Sequence, residues 1–320
     1  MSEEEAAAFL SSVPLLAGRS DADLVELARR LRQRTVSEGD VLWKQGDAAR
    51  ELVFVVTGAL TASLPLPGGR TVEIGRVGAG DVVGEIGVLE GGEHTMTVEA
   101  IERSTLLALS RHDVAALLAR PDASSFELKR RLAVQFTARL RNQYAQVALT
   151  LGGGEPPAAV GTPAELERHG PPDSRYLTRM ALFHDFDPVA LWSFLTSGTY
   201  GMCPSGQALL TEGTPSPACY LTVNGAVEKV LIRGDRRVRV SLAGPGIAFG
   251  YESVIDGLPS PVTAITRERT LVLAIARENF AQLFQREDAI ARVFLDLLLR
   301  ELVATLRITL RPHARLAASI

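Results

Sequence analysis

The sequence predicts a mainly β protein with helices (α+β), organised as two similar halves. Three observations support this class. Between Thr35 and Leu109, short β-rich segments alternate with glycine-containing turns, which is typical of an antiparallel sandwich or barrel. Helical spacing of apolar residues flanks that region on both sides. The same order of glycines then recurs after a segment rich in glycine and proline at residues 151–175.

The first half divides into elements by its apolar spacing and its turn residues. Ser2 followed by three glutamates has the composition of a capped helix start. A second helix is predicted from Leu24 to Arg32, because its apolar residues fall on one face. Strands and helices follow in order. The strands are predicted over residues 52–56, 59–64, 71–76 and 104–109, and the helices over residues 111–118 and 126–149.

The second half repeats the first with glycines in register. The corresponding pairs are Gly39 and Gly206, Gly46 and Gly213, Gly58 and Gly225, Gly80 and Gly246, Gly84 and Gly250, and Gly91 and Gly257. Glycine adopts positive φ freely, so matched glycines indicate that the same turns are made twice. The sequence therefore predicts a tandem duplication, with domains at residues 1–150 and 176–320 joined by a linker at residues 151–175.

The composition and the residue patterns exclude several classes of function. The net charge of −3 leaves no basic footprint for a polyanion. We expect no membrane segment, because no apolar run reaches the roughly 18 residues that cross a bilayer, and we expect a cytoplasmic protein because the acidic N-terminus is unlike a signal peptide. Cys203 and Cys219 form no disulfide framework and are predicted to be buried hydrophobes. The residues form no nucleophile–base or P-loop pattern, so no enzyme is expected.

The glycines belong to a longer pattern that resembles the cyclic nucleotide-binding domain family. The matching residues in the first half are Gly39-x-x-Leu42, Gly46-Asp47, Phe54, Gly58-x-Leu60, Gly80-Asp81 and Gly84-Glu85-Ile86-Gly87-Val88-Leu89. Tandem copies look like the regulatory subunit of the cyclic-AMP-dependent kinase, and single copies like the catabolite activator. The resemblance implies two double-stranded β-helix (jelly-roll-like) domains flanked by helices. It also implies a cyclic nucleotide as ligand, such as cyclic AMP or cyclic GMP.

The resemblance assigns a ligand site to the first half. In the family, N–H groups of a short helix and an arginine hold the cyclic phosphate, and a glutamate binds the ribose. The matching positions here are Gly84, Glu85, Ile86, Gly87, His94 in place of the arginine, and Thr95. His94 could protonate beside a phosphate, but the missing arginine is expected to cost about 1.5–3 kcal/mol. The alternatives are a solvated helix cap for Glu85 and an exposed loop position for His94.

The second half departs further from the family pattern. After Gly250, Tyr251 stands where the glutamate belongs, and Ser260 stands where the arginine belongs. We interpret this pocket as vestigial, without cyclic-nucleotide binding. Tyr251 is expected to close the pocket rather than to stack on a base.

The last predicted helix, at residues 288–310, carries a broad apolar stripe. Two interpretations are open: a homodimer through this helix, or packing within the chain against the helix at residues 126–149, which we favour. Few residues follow Pro312, so no winged helix and no DNA binding are expected.

We expect a regulatory module that senses a ligand in domain 1 and acts by contact with an unidentified effector protein. The alternative is a ligand-independent scaffold or adaptor.

Overall fold

The computed structural model describes residues 1–154, 165–173, 177, 180, 183 and 187–318. The chain divides into two compact units, Met1–Leu132 and Ala133–Ile320. This division lies inside a long helix. The domain limits predicted from the sequence, residues 1–150 and 176–320, were placed where the second repeat begins, and they stay a prediction. Of the predicted linker, residues 155–164, 174 and 175 lie outside the described residues.

Unit 1 is an antiparallel roll with helices at both ends. The elements are α1 (Glu3–Ser12), α2 (Asp21–Ala28), β1 (Arg32–Val36), β2 (Val41–Trp43), β3 (Glu51–Thr57), β4 (Leu60–Pro65), β5 (Thr71–Val77), β6 (Val82–Val83), α3 (Glu85–Glu90), β7 (Thr97–Ala100), β8 (Ser104–Ser110), α4 (Arg111–Ala119) and the start of α5 (Ala123–Thr150). Two four-stranded sheets, ordered β1-β8-β3-β6 and β2-β7-β4-β5, enclose a core of aliphatic side chains and Trp43.

Unit 2 contains the end of α5 and a second roll of the same design. Its further elements are β9 (Glu167–His169), α6 (Pro188–Leu195), β10 (Thr199–Cys203), β11 (Ala208–Leu210), β12 (Ala218–Asn224), β13 (Val227–Arg233), β14 (Arg236–Ala243), β15 (Ala248–Phe249), α7 (Tyr251–Asp256), β16 (Thr263–Thr266), β17 (Thr270–Ala276), α8 (Arg277–Gln285) and α9 (Ala289–Ala318). The sheets are ordered β15-β12-β17-β10-β9 and β11-β16-β13-β14. Cys203 and Cys219 are buried, as predicted.

The predicted α+β class with two rolls is confirmed, and two element limits differ from prediction. α2 ends at Ala28 rather than Arg32, because Arg32 begins a strand that pairs with β8. α9 continues through Pro312 to Ala318 rather than ending near residue 310. Proline removes one intrahelical hydrogen bond, which bends a helix without always ending it. In addition, β9 lies within the predicted linker and pairs with β10.

The apolar stripe of α9 is buried within unit 2. Val293, Phe294, Leu302 and Leu306 are each less than 5% exposed, and the helix packs on α6, α8 and β14. Near its end, the Thr309 hydroxyl bonds the Gln143 side chain of α5. Packing within the chain therefore accounts for the stripe, and a homodimer through this helix stays a prediction.

Gly58 lies in the turn between β3 and β4, at a position that only glycine fits. Its φ is +88°, and a Cβ would lie 2.7 Å from the Arg103 carbonyl oxygen. We expect Gly58→Ala to lower the free energy of unfolding by about 2–4 kcal/mol, from left-handed strain plus overpacking. Gly46→Ala is the matched control, because its φ is +90° with open space around the Cβ, so about 1 kcal/mol is expected. Equal losses in urea unfolding would contradict the role of the close contact.

Candidate nucleotide site and its second copy

In unit 1 the candidate site begins where β6 turns into α3. Gly84 caps the helix with a φ of 93°. A Cβ at Gly84 would lie 3.0 Å from the Glu51 carbonyl oxygen and 3.1 Å from the Trp43 ring. A Cβ at Gly87 would lie 2.7 Å from that of Ala49. Both glycines therefore let the start of α3 approach the roll closely.

Glu85 is buried at the first position of α3. It is 1% exposed, so the solvated cap considered from the sequence is wrong. It lines a cavity of about 400 Å³, open mouth included, between the outer face of the roll and the surrounding helices. The other walls include Leu52, Phe54, Val114 and Leu128. Glu85 therefore faces the cavity between the roll and the helices that cover it.

His94 is also buried, so an exposed loop position is wrong as well. Its ring stacks on Trp43, with centroids 4.1 Å apart and planes 7° from parallel, and the residue is 5% exposed. Desolvation lowers the pKa of His94 to about 4, although the Asp47 carboxylate partly opposes the shift. His94 is therefore neutral near pH 7 and does not supply the positive charge that protonation would give. Its contact with a ligand stays a prediction, as does that of the half-buried Thr95.

The backbone around His94 is fixed by the hairpin that carries Asp47. The His94 amide donates to the Asp47 carbonyl at 2.8 Å, and the Gly46 amide donates to the His94 carbonyl at 3.0 Å. Trp43 contacts both the His94 ring and the space beside Gly84. Trp43 therefore lies between His94 and the start of α3.

In unit 2 the corresponding positions are used for internal contacts. Gly250 keeps the positive φ, at 80°. Tyr251 is fully buried, and its hydroxyl lies 3.0 Å from the Thr305 hydroxyl on α9. Burial raises the pKa of Tyr251 well above its usual value, so it stays a neutral phenol. The Ser260 hydroxyl donates to the Val262 carbonyl at 2.8 Å.

The loop that follows α7 is tied to the end of α5. The Arg141 guanidinium forms a bidentate ion pair with Asp256, with Nη2 2.8 Å from Oδ1. The same guanidinium donates to the Pro259 carbonyl at 2.8 Å. A bidentate arginine fixes both position and orientation. This loop, the counterpart of the one that carries His94, is therefore held by contacts to Arg141.

Inside the second roll lies a buried ion pair that the sequence analysis missed. Lys229 faces the core, because it pairs with Ala264 in the β13–β16 ladder and Ala264 belongs to the roll core. Its Nζ lies 3.9 Å from Glu252 Oε1, and both side chains are 1% exposed. The Nζ also lies 5.8 Å from the centroid of the Tyr251 ring, a cation–π contact. In the sequence, the one signal for this ion pair was Lys229 itself, a lysine on a strand face that is otherwise apolar.

The profile of the cyclic nucleotide-binding domain family matches residues 33–121 and 202–287, which is one match in each roll. The chain belongs to the cyclic nucleotide-binding domain family.

Among the described residues, no group of histidine, cysteine, aspartate or glutamate side chains could hold a metal ion. No helix in that part of the chain is long and apolar enough to cross a membrane.

Similar proteins carry the family domain in different settings. A putative potassium channel protein of Rhodopseudomonas palustris is 33% identical over 113 residues, which is 35% of this chain and 27% of the channel. The cyclic AMP receptor protein of Thermus thermophilus is 30% identical over 123 residues, 38% of this chain and 56% of that protein. The regulatory domain of Toxoplasma gondii PKA, solved with cAMP, is 18% identical, with 88% of this chain and 92% of that chain covered and a TM-score of 0.35.

The chain thus spans about a quarter of the channel protein and about half of the receptor protein. Membership of the cyclic nucleotide-binding domain family supports a regulatory role linked to cyclic nucleotides. Within the family pattern, Gly84 and Glu85 match the expected residues, whereas His94, Tyr251 and Ser260 depart from it.

Proposed function

We propose that this protein is a non-enzymatic regulatory module in which the first repeat responds to a cyclic nucleotide and the second does not. The observation that carries the proposal is the difference between the two sites. The first keeps a buried glutamate after its left-handed glycine, whereas the second replaces that glutamate by a tyrosine bonded to α9. Output is delivered by contact with an effector protein.

The first repeat supports a weak site rather than a tight one. The support for a site is the close approach of the start of α3 to the roll at Gly84 and Gly87, together with the buried Glu85 that follows Gly84. The missing arginine removes a charge-assisted hydrogen bond, and neutral His94 does not replace its charge. We therefore expect dissociation constants roughly ten- to a hundredfold above those of an arginine-bearing site.

A second candidate function is a ligand-independent scaffold or adaptor. One observation favours it. Each roll packs side chains of its own against the turn and short helix of its site, called the cassette below (β6 and α3 in unit 1, β15 and α7 in unit 2). These side chains are the Trp43–His94 stack in the first roll and the Lys229–Glu252 pair in the second. On this alternative the partner binds the protein equally well with and without nucleotide.

Titration calorimetry on the full chain separates the two functions. With cyclic AMP and cyclic GMP up to millimolar concentration, we expect weak binding that Glu85→Ala removes. His94→Arg restores the arginine of the family and is expected to tighten binding by roughly tenfold or more. Ser260→Arg is the matched control in the second repeat and is expected to add no site. Absence of heat with both the wild type and His94→Arg would favour the scaffold.

A further inference from the structure

The interior of the second roll holds three buried polar side chains close to its cassette. Lys229 of β13 and Glu252 of α7 are each 1% exposed, and Ser241 of β14 is 8% exposed. Ser241 lies directly opposite Lys229 in the β13–β14 ladder, so both side chains project from the same face of the sheet, into the roll. Glu252 Oε1 lies 3.9 Å from Lys229 Nζ. The three side chains therefore form one group, which we call the interior polar cluster.

Each side chain of the interior polar cluster has a polar atom that is buried without a hydrogen bond. Lys229 Nζ, Ser241 Oγ and Glu252 Oε1 form no hydrogen bond to any residue that the structure describes. The 3.9 Å between the ammonium and the carboxylate is longer than a direct hydrogen bond and matches two groups bridged by one atom. Buried polar atoms in folded proteins nearly always have a partner. The cluster therefore offers the donors and acceptors of a binding site.

The first repeat has no polar side chain at any of these three positions. Its β4–β5 ladder pairs Ala62 with Gly75 at the corresponding place, and in both ladders the register shifts directly after the pair. Ile86 is the second residue of the first cassette helix, where the second repeat has its carboxylate. The interior polar cluster therefore belongs to the second repeat alone. It occurs in the repeat where Tyr251 and Ser260 replace the family residues for ribose and phosphate.

The charges of the cluster select the kind of ligand. The ammonium and the carboxylate cancel, so an anion would be repelled by Glu252 and a cation by Lys229. A hydroxyl group suits both, because its oxygen accepts from the ammonium while its hydrogen is donated to the carboxylate. The Ser241 hydroxyl can bond a second hydroxyl of the same molecule. Since Lys229 and Glu252 are almost fully enclosed, the ligand must be small.

We propose that the interior polar cluster binds a small neutral polyol, a molecule with hydroxyl groups on adjacent carbons. One hydroxyl bridges Lys229 and Glu252, and a second bonds Ser241. The interpretation of the second pocket as vestigial then holds for cyclic nucleotides only. This inference goes beyond the nucleotide response proposed for the first repeat and does not rest on it.

Saturation-transfer NMR on the full chain tests the site, because it detects weak binding through the signals of the ligand. The probes are glycerol, glycine and acetate, which are neutral, zwitterionic and anionic. With the wild type at pH 7 we expect a saturable signal from glycerol and none from glycine or acetate. The double variant Lys229→Met, Glu252→Ile should lose the glycerol signal. Ser241→Ala should weaken glycerol binding by roughly two- to tenfold, the effect of one lost hydrogen bond.

Ser193→Ala is the matched control in unit 2. The Ser193 hydroxyl already donates to the Val189 carbonyl of α6 at 2.9 Å, so this variant should bind glycerol like the wild type. If the double variant does not fold, Ser241→Ala decides the question, because it removes a single oxygen atom.

Four results would overturn the proposal. The wild type may give no saturable glycerol signal, which would assign the cluster to buried water only. The double variant may keep the wild-type signal, Ser241→Ala may bind glycerol as tightly as the wild type, or glycine or acetate may bind as well as glycerol. None of the probes is a cyclic nucleotide, so each result leaves the proposed response of the first repeat to its own calorimetric test.

Discussion

Replacing Lys229 by methionine is expected to lower the free energy of unfolding of unit 2 by about 3–5 kcal/mol. The substitution keeps an unbranched side chain that is one atom shorter and removes the buried cation, which leaves Glu252 in an apolar roll without its counter-charge. Removing one partner of a buried ion pair costs more than the pair contributes, because an uncompensated charge stays behind. Urea unfolding, followed by circular dichroism at pH 7, measures the loss.

The matched control comes from the other repeat. Ala62 and Ile86 occupy the positions of Lys229 and Glu252 in unit 1, where both are buried in apolar surroundings. We therefore expect the double variant Lys229→Met, Glu252→Ile to recover stability to within about 1 kcal/mol of the wild type, since apolar residues replace buried ion pairs at little cost. A double variant as unstable as the single one would show that the loss comes from packing and not from charge.

Replacing Glu301 by glutamine is expected to change how the stability depends on pH. The pKa of this acid is raised from 4.5 in the unfolded chain to about 7 in the folded protein. Between these two values the folded state holds a proton that the unfolded state has released. The stability of the wild type therefore falls, through Glu301, as the pH rises from 4.5 to 7, and the contribution is constant above pH 7.

The expected size of this contribution is about 3 kcal/mol, because each unit of pKa difference corresponds to about 1.4 kcal/mol. Other carboxylates titrate in the same range, so the quantity to measure is the difference between the wild type and Glu301→Gln at each pH. We expect the free energy of unfolding of the variant, relative to that of the wild type, to increase up to pH 7. Above pH 7 the difference should stay constant. A difference that does not vary with pH would contradict the assignment.

The fold could be predicted from the sequence because its signals are local. A turn at positive φ needs glycine wherever it occurs, so glycines in register revealed both rolls and the start of each cassette. Apolar periodicity located α5 and the strands to within a few residues. The end of α2 was missed because pairing of Arg32–Val36 with β8 overrode a helical pattern.

The surroundings of the site residues could not be predicted in the same way. His94 and Trp43 are far apart in sequence, and only the closed roll stacks their rings and keeps the histidine neutral. Glu85 carries the same local signal whether it is solvated or buried. Its burial depends on the helices that cover it.

By itself, the sequence determined a tandem duplication, the family to which both copies belong, and the residues that each copy changed. The tertiary structure decided what those changes do. The Tyr251 hydroxyl contacts Thr305 of α9, and Lys229 pairs with Glu252 inside the second roll. Both contacts join residues from different elements, and their energies depend on burial and charge balance, which no spacing rule contains.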